Sequence, residues 1–216
     1  MTARRQNLAA TARRVGKHVI RMLRPDPRVA LLRMLPRGSI GAEVGVWAGD
    51  FSAAILKEVR PTRLHLIDPW RFEPGLPDAW YGGSLVGSQE QMDQIHARVV
   101  ARFGSQIREG TVQVHRSSSS DAASSFEPHY FDWVYIDGNH LYEFVKQDLE
   151  DYWPAVKPGG LLTGDDYSDP GWWEDGVRRA VDEFAAARPC DKSVVGGQFV
   201  LRKQPAAGGQ KGRAPS

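Results

Sequence analysis

Apolar residues after position 39 follow two alternating patterns, short continuous runs and longer stretches with helical spacing. The runs are typical of buried strands, and the spaced stretches are typical of amphipathic helices. We predict strands over residues 40–46, 63–67, 111–115, 131–136 and 161–164, with helices over 51–59, 89–103 and 141–152. Because strands and helices alternate, an α/β fold with a parallel sheet covered by helices on both faces is favoured.

The last part of the domain changes this pattern. Asp169 is a candidate cap, and Pro170 a candidate first residue, for a final helix that includes Trp173. Residues 193–195 and 198–202 are β-type runs on either side of a Gly-Gly pair, which predicts a hairpin. Such a hairpin would add an antiparallel strand at the edge of the sheet.

Composition divides the chain into three segments. Residues 1–38 are predicted to form a basic helical extension and residues 39–203 the α/β domain. Residues 204–216, rich in Gly, Ala, Pro and Gln, are predicted to be a disordered tail. Within the domain, residues 70–88 are rich in Pro, Gly and aromatic residues and are predicted to form a long loop or lid.

The net charge of +2 is unevenly distributed. Residues 1–37 carry +9 and residues 203–216 carry +3, so the part between them carries −10. Phosphate contacts need clustered cations, so this acidic domain argues against nucleic acid as a partner. The basic residues 4–24 fit a helix that contacts an anionic membrane surface or an acidic protein. The alternative, which we favour, is an extra helix packed on the domain with its charged face in solvent.

Cysteine content and hydropathy restrict the setting. The single cysteine, Cys190, excludes an intramolecular disulfide and a cysteine-rich zinc site. No apolar stretch approaches the ~20 residues of a membrane-spanning helix, and the N-terminus lacks the apolar run of a secretory signal. We therefore expect a cytoplasmic protein. A monomer and a homo-oligomer are both compatible with the sequence.

The end of the first predicted strand has the features of a ligand-binding turn. Gly45 and Gly49 allow the backbone to turn sharply and to approach a ligand closely. The spacing differs from G-x-G-x-x-G, and no Gly-Lys-Ser/Thr follows, so neither a dinucleotide site nor a P-loop is indicated. Asp68, at the end of the second strand, has the position of an acid that binds ribose hydroxyls. Taken alone, Glu43 and Asp68 are better explained as loop carboxylates or helix caps, but the glycine turn, the spacing and the strand-end acid together favour a ligand site.

Acidic residues also follow two later strands. Asp137 comes directly after residues 131–136, and Asp165 and Asp166 follow residues 161–164. If these strands are neighbours, their carboxyl ends lie about 5 Å apart, at the edge where open α/β sheets bind ligands. Converging carboxylates repel each other unless a cation or a shared proton lies between them. Hard oxygen ligands favour Mg²⁺ or Mn²⁺, so we predict a metal site here, with a turn or helix cap as the alternative.

Residues 39–202 resemble the class I S-adenosylmethionine-dependent methyltransferases. Residues 43–49 with Asp68 are similar to the first two cofactor motifs of that family, and the hairpin is similar to the end of its mostly parallel, seven-stranded Rossmann-like sheet. The resemblance implies S-adenosyl-L-methionine as cofactor. It implies cofactor contacts from Glu43, Gly45, Gly49, Ser52, Asp68, Ser118, Ser119 and Asp137.

Two of these assignments concern serines. The resemblance implies that Ser52 holds the methionine carboxylate and that Ser118 and Ser119 contact adenine. In the stretch that contacts adenine, the family often has Gly-Asp-Ser, whereas this chain has four consecutive serines at 117–120. A serine-rich helix cap is therefore an equal alternative for Ser118 and Ser119.

Residues 136–143 and 164–167, Ile-Asp-Gly-Asn-His-Leu-Tyr-Glu and Gly-Asp-Asp-Tyr, resemble a metal-dependent subset of the family. It includes sugar and macrolide O-methyltransferases of the macrocin and mycinamicin type and, more distantly, catechol O-methyltransferase. The resemblance implies that Asp137, Asp165 and Asp166 hold Mg²⁺ and that His140 is the general base, with Asp137 beside it in the catalytic set. Capping of the next helix is the alternative for His140, although Asn139 is also suitable as a cap.

The expected reaction is methyl transfer to a hydroxyl group of a small molecule: a sugar, a glycosylated natural product, or another polyol or phenol. Such a hydroxyl needs help to lose its proton, which a metal ion and an imidazole supply. Two alternatives stay open. One is a metal-independent methyltransferase acting on nitrogen or a carboxylate, and the other is a non-catalytic module that binds S-adenosylmethionine.

Overall fold

A computed structural model of the protein describes residues 27–168 and 171–205. The strands are β1 (Ile40–Val44), β2 (Arg63–Ile67), β3 (Val112–His115), β4 (Phe131–Ile136), β5 (Val156–Gly164), β6 (Cys190–Val195) and β7 (Gln198–Lys203). The helices are α1 (Pro27–Leu32), α2 (Asp50–Glu58), α3 (Gln89–Arg102), α4 (Gly104–Arg108), α5 (Ser119–Ala123), α6 (Tyr142–Tyr152) and α7 (Gly176–Ala186). A 3-10 helix, Trp80–Gly82, lies in the long loop between β2 and α3. Among the described helices, none has both the length and the apolar character needed to cross a membrane.

The strands form one sheet in the order β3-β2-β1-β4-β5-β7-β6. Strands β1 to β5 run parallel, and β7 is antiparallel to both β5 and β6. The predicted Rossmann-like α/β fold with an antiparallel C-terminal hairpin is confirmed. The hairpin lies at the edge of the sheet, as expected. Its first strand, β6, is the edge strand, and β7 lies between β5 and β6. Because the strand order reverses at β1, the carboxyl ends of β1 and β4 border the crevice where such sheets bind ligands.

The sheet separates two apolar cores. Trp133 and Tyr135 of β4 face the core covered by α2 and α3, whereas Val134 and Ile136 face the core covered by α6 and α7. This alternation follows from the two-residue period of a strand. Gly41 of β1 leaves room for the Trp133 ring, because a Cβ atom there would lie 2.1 Å from the indole.

Helix α1 packs into the first core although it lies in the predicted N-terminal extension. Leu31, Leu32 and Leu35 are buried in that core. These contacts join residues 27–35 to the domain, and the boundary at residue 38 stays a prediction. The predicted basic helix at residues 4–24 lies outside the described residues, as does most of the predicted tail.

Two predicted boundaries differ most from the structure. Strand β5 begins at Val156 rather than near residue 161, and its register against β4 shifts between Phe131 and Trp133, which the local apolar pattern does not reveal. Helix α7 begins at Gly176, so Trp173 lies ahead of it. Glu174 has a φ of 55°, a left-handed conformation through which an α-helix does not run. The predicted start of this helix at residues 169–170 lies outside the described part of the chain.

Candidate active site

Strand β1 ends in a turn that requires glycine. Gly45 has a φ of 89°, and a Cβ atom on it would lie 2.1 Å from the carbonyl oxygen of Asp137. The backbone N–H of Asp137 donates to the carbonyl oxygen of Val44 at 2.7 Å, which ties the end of β4 to the end of β1. Gly49, with a φ of 77°, precedes α2 and packs against Phe103. Both glycines therefore shape the turn between β1 and α2.

Asp68, which follows β2, holds this turn in place. Its carboxylate accepts hydrogen bonds from the N–H groups of Val46 and Trp47, each at 2.9 Å, and from that of Trp70 at 2.7 Å. Burial raises the pKa of Asp68, and the three backbone bonds partly offset this rise. The carboxylate also lines a cavity beside the turn. One side chain therefore fixes the turn and faces the space a ligand would use.

Ser52 supports Glu43. Its side chain is buried, and its hydroxyl donates to Oε2 of Glu43 at 2.5 Å. Burial raises the pKa of Glu43 well above its usual value, the bond from Ser52 opposes this, and the nearby charges of Asp137 and Asp68 raise it further. Ser52 is absent from the linings of the two cavities described below, and its contact with the methionine carboxylate stays a prediction.

A first cavity of ≈ 290 Å³ begins at the glycine turn. Its lining includes Gly45, Asp68, Ser118, Ser119, Phe144 and Asp148. The carboxylates and hydroxyls are combined with the apolar side chains of Ile67 and Phe144. This mixture suits a nucleoside-type ligand, which has an apolar ring and polar edges.

The two serines of this cavity have different partners. Ser118 is the N-cap of α5, and its Oγ accepts a hydrogen bond from the N–H of Asp121 at 3.2 Å, so the helix-cap alternative is confirmed for Ser118. Ser119 donates to Oδ1 of Asp148 at 2.5 Å. Both serines still contribute to the cavity wall.

Acidic groups and a histidine meet at the ends of β4 and β5. The two strands are neighbours, with Ile136 opposite Gly164. Ligand atoms of Asp137, His140 and Asp166 all lie within 4.8 Å of one another. Nε2 of His140 lies 3.3 Å from Oδ1 of Asp137 and 3.3 Å from Oδ2 of Asp166. These three residues are suited to hold a cation or to share protons.

Asp165 lies beside this cluster but points elsewhere. Its Oδ2 is 3.9 Å from the guanidinium of Arg28, which also lies 5.1 Å from the ring centroid of Phe51. Burial and then the charge of Asp137 raise the pKa of Asp165 to about 6. Its N–H donates to the carbonyl oxygen of Ile136 at 3.1 Å, and Asp166 then adopts a φ of 58°. This left-handed residue turns the chain out of β5, a conformation that costs energy and is frequent at functional sites.

Burial and neighbouring charges act on the pKa of His140 in opposite directions. Burial lowers its pKa, but the hydrogen bond to Asp137 and the charges of the three aspartates raise it, and the net direction is upward. Asn139 Oδ1 accepts a hydrogen bond from the N–H of Leu141 at 2.9 Å, so Asn139 supplies the side-chain contact ahead of α6. The N-cap of α6 is Leu141, and no side chain accepts a hydrogen bond from the first turn of this helix. His140 therefore does not cap α6, and its imidazole faces the acids.

A second cavity of ≈ 380 Å³ lies on the other side of Asp137. Its wall includes Glu43, His140, Asp166, Trp80, Trp172 and Trp173. Both cavities are lined by Gly45, Trp47, Tyr81, Asp137 and Gly138, so they meet at the glycine turn and the end of β4.

Three residues of the site are absent from the sequence prediction. Arg28 comes from α1, and no local pattern connects it with the strand ends. Trp47 lies in the glycine turn, where its φ of 52° is visible only in the fold. Asp148 does carry a sequence signal, because it occupies the apolar face of α6 next to Leu149 and between Val145 and Tyr152. An acid on such a face is unusual.

Comparisons with known proteins identify the family. A family model described as a methyltransferase domain matches residues 42–167. No curated protein matches the chain significantly.

Similar solved structures share the fold. A protein from Corynebacterium glutamicum has a TM-score of 0.59 at 19% identity, covering 92% of this chain and 91% of its own. The O-methyltransferase NovP has a TM-score of 0.59 at 17% identity, with 82% and 80% covered. A SAM-dependent methyltransferase from Aquifex aeolicus has a TM-score of 0.53 at 18% identity, with 82% and 87% covered.

Proposed function

Since the chain belongs to the methyltransferase-domain family, we propose that it transfers a methyl group from S-adenosylmethionine to a hydroxyl oxygen of a small molecule. Dependence on S-adenosylmethionine follows from the family. Oxygen as the acceptor atom and assistance by a divalent cation are our proposals. NovP, which shares this fold, is an O-methyltransferase, and this supports the choice of oxygen.

One observation carries the proposal. The two cavities meet at Gly45 and Asp137, and the cluster of Asp137, His140 and Asp166 faces the second cavity. Methyl transfer requires donor and acceptor atoms to be aligned in contact. A cofactor in the first cavity and an acceptor in the second would meet at that shared wall, next to groups that handle protons and cations.

The first cavity fits the cofactor. The cofactor supplies a methyl group on a positively charged sulfur, which makes it electrophilic without further help from the protein. Gly45, which lines this cavity, lets the turn after β1 approach the end of β4, since a Cβ atom there would meet the backbone of Asp137. Asp68 faces the cavity as an acceptor for ribose hydroxyls while its other bonds keep the turn rigid.

Asp137 and Asp166 are the residues we propose to hold Mg²⁺ or Mn²⁺, with Asp165 contributing negative charge nearby. Their oxygen donors match the preference of these ions. A bound cation lowers the pKa of an acceptor hydroxyl. Asp165, with a pKa raised to about 6 by burial and by Asp137, reflects the excess of negative charge at this point.

His140 is the proposed general base. Its Nε2 lies between two carboxylates whose charges raise its pKa. A cation held by those carboxylates would offset their negative charge and lower the pKa of His140. The imidazole would then accept the hydroxyl proton near neutral pH. The aromatic side chains of Trp80, Trp172 and Trp173 supply an apolar wall for the acceptor.

The direct test is methyl transfer from labelled S-adenosylmethionine to a panel of catechols and monosaccharides, measured before and after treatment with EDTA. We expect transfer that EDTA abolishes and Mg²⁺ restores. Asp166→Asn is expected to lower kcat/KM by about 10- to 100-fold, since it replaces a charged cation ligand with a neutral amide. Asp191→Asn, at an exposed acid on the edge strand β6, is the matched control and is expected to leave the rate unchanged.

Each other result has a defined meaning. Full activity in EDTA, or in Asp166→Asn, would reject the metal role. Methylation of an amine or a carboxylate, with no transfer to any hydroxyl, would reject the proposed acceptor.

A further inference from the structure

The wall of the second cavity has an excess of acidic groups. Its acidic residues are Glu43, Asp50, Asp78, Asp137 and Asp166. Its basic side chains are Arg28 and His140, and the guanidinium of Arg28 already lies 3.9 Å from another acid, Asp165. A wall with this charge attracts a cationic acceptor and repels an anionic one.

Four of these acids already interact with the protein. Their partners are His140 for Asp137 and Asp166, Ser52 for Glu43, and Arg102 for Asp50. In the part of the chain that the structure describes, the side chain of Asp78 has neither a hydrogen bond nor an ion pair. Asp78 therefore presents a negative charge to the cavity without a counter-charge.

The long loop between β2 and α3 holds Asp78 in place. The N–H of Ala79 donates to the carbonyl oxygen of Leu76 at 2.9 Å, and the N–H of Gly82 donates to that of Ala79 at 3.0 Å. A Cβ atom on Gly82 would lie 1.6 Å from the carbonyl oxygen of Leu76, so the loop folds closely on itself. Asp78 and Trp80 flank the buried Ala79. One short, ordered segment therefore carries both the free carboxylate and an indole.

Two indoles lie in the same part of the wall. The ring of Trp80 is 5.7 Å from that of Trp47, with the ring planes tilted by 55°. Trp80 is 60% exposed, whereas the backbone of Trp47 is fixed by a hydrogen bond of 2.9 Å from the indole of Trp70 to its carbonyl oxygen. The face of an indole attracts an organic ammonium group, and an exposed indole gains from being covered by a ligand. Two indoles with an unpaired carboxylate nearby are suited to bind such a group.

We propose that the methyl acceptor carries a protonated amine, which Asp78 and the indoles of Trp47 and Trp80 bind while the reacting hydroxyl lies next to His140. Both sets of residues line the same cavity of ≈ 380 Å³, so one small molecule can contact both. The proposal rests on the proposed function and names its acceptor class, which is an amino sugar or a phenol with an aminoalkyl side chain.

The test uses three catechols whose side chains end in different charges: 4-(2-aminoethyl)catechol, 4-ethylcatechol and 3-(3,4-dihydroxyphenyl)propanoate. Glucosamine and glucose are the matching sugar pair. At pH 7 with Mg²⁺, we expect kcat/KM to be about tenfold or more higher for the amine than for its neutral partner, and lowest for the carboxylate. Calorimetry in the presence of S-adenosylhomocysteine should give the same order of affinities, and this second measurement requires no methyl transfer.

Two variants locate the amine. Asp78→Asn is expected to reduce the preference for the amine to within about threefold, mainly through KM, because it removes the counter-charge. Trp80→Leu keeps an apolar side chain but removes the aromatic face, and should lower the preference by about threefold. The controls are Glu109→Gln, at an exposed acid, and Leu85→Ala, on the same loop and 62% exposed. Neither control residue lines a cavity, so both variants should keep the full preference.

The possible failures are distinguishable. Equal affinity for amine and neutral ligands in both series would overturn the proposal. A preference that Asp78→Asn leaves unchanged would overturn it as well, because the attraction would then come from the acids beside His140. If the amines bind through Asp78 but no hydroxyl is methylated, the amine site stands and the proposed function is wrong. A methyl group found on the nitrogen of the amine would reject both.

Discussion

Gly45 is irreplaceable because of backbone atoms that belong to another strand. The turn after β1 approaches the carbonyl of Asp137 so closely that no side chain fits between them. Around it, the predicted ligand-binding acids are already engaged with the protein: Asp68 accepts three backbone N–H groups, and Glu43 accepts the hydroxyl of Ser52. These contacts set the shape of the cavities before a ligand arrives.

Replacing Gly45 with alanine is expected to destabilise the protein more than the same change at Gly110. Both glycines have positive φ, 89° and 77°, so both variants carry backbone strain on the order of 1 kcal/mol. At Gly45 a Cβ atom also meets the backbone of Asp137, whereas nothing lies within 4 Å at Gly110. In urea unfolding, the free energy of unfolding should fall by about 2 kcal/mol or more further in Gly45→Ala than in Gly110→Ala. Equal losses at the two sites would contradict the close approach of β1 and β4.

His65 makes the stability of the fold depend on pH. It is buried in β2, 2.9 Å from His115 and 3.1 Å from Tyr130, and burial first and the charge of His115 second lower its pKa from 6.5 to about 3. Between these values the unfolded chain binds a proton that the folded chain does not. The free energy of unfolding is therefore highest above pH 6.5, and it falls as the pH is lowered from 6.5 toward 3, because the unfolded chain gains a proton there.

The measurement is the free energy of unfolding between pH 4 and pH 7 for the natural protein and His65→Asn. Below pH 6.5, we expect the free energy of unfolding to change less steeply with pH in the variant, by up to about 1.4 kcal/mol per pH unit. Parallel curves for the two proteins would show that His65 does not stay neutral in the fold.

The acids of the site were predictable from the sequence, but their partners were not. Asp68, Asp137 and Asp166 were found because each follows an apolar strand, and a strand end is a local feature. The pairing of Ser52 with Glu43 and of Arg28 with Asp165 depends on how elements pack, which no local pattern reports. For this reason neither the bond from Ser52 to Glu43 nor the role of Arg28 was predicted.

At the scale of elements, the arrangement of the site depends on β4 and β5 being neighbours. The carboxyl ends of these parallel strands bring Asp137 and Asp166 together from positions far apart in the chain. Strand and helix order predicted this pairing well, because the apolar runs are strong and the family resemblance supplied the sheet. The starts of β5 and α7 were missed, since a register shift and a left-handed residue at Glu174 are tertiary features.

Helix α1 is expected to contribute to the stability of the domain even though its sequence belongs to the basic extension. Leu31→Ala should lower the free energy of unfolding by about 2–5 kcal/mol, because Leu31 is fully buried in the first core. Met34→Ala, close by and 42% exposed, is the control, and its loss should be well under half as large. Equal effects in chemical denaturation would show that α1 does not pack as described.

At the scale of the whole molecule, function depends on two cavities that share one wall. The sheet positions β1 and β4 next to each other, and the ends of these strands form the wall between the first cavity and the second. The sequence predicted the composition of this wall through the glycine turn and the strand-end acids. It did not predict that the wall would separate two spaces, because that depends on the path of the long loop that carries Trp80 and Tyr81.

The measurement that tests this account most directly is anomalous diffraction from crystals grown with S-adenosylhomocysteine and Mn²⁺. We predict the cofactor product in the first cavity and an anomalous peak between the carboxylates of Asp137 and Asp166. Density for S-adenosylhomocysteine without such a peak, in crystals that hold Mn²⁺ elsewhere, would contradict the proposed chemistry.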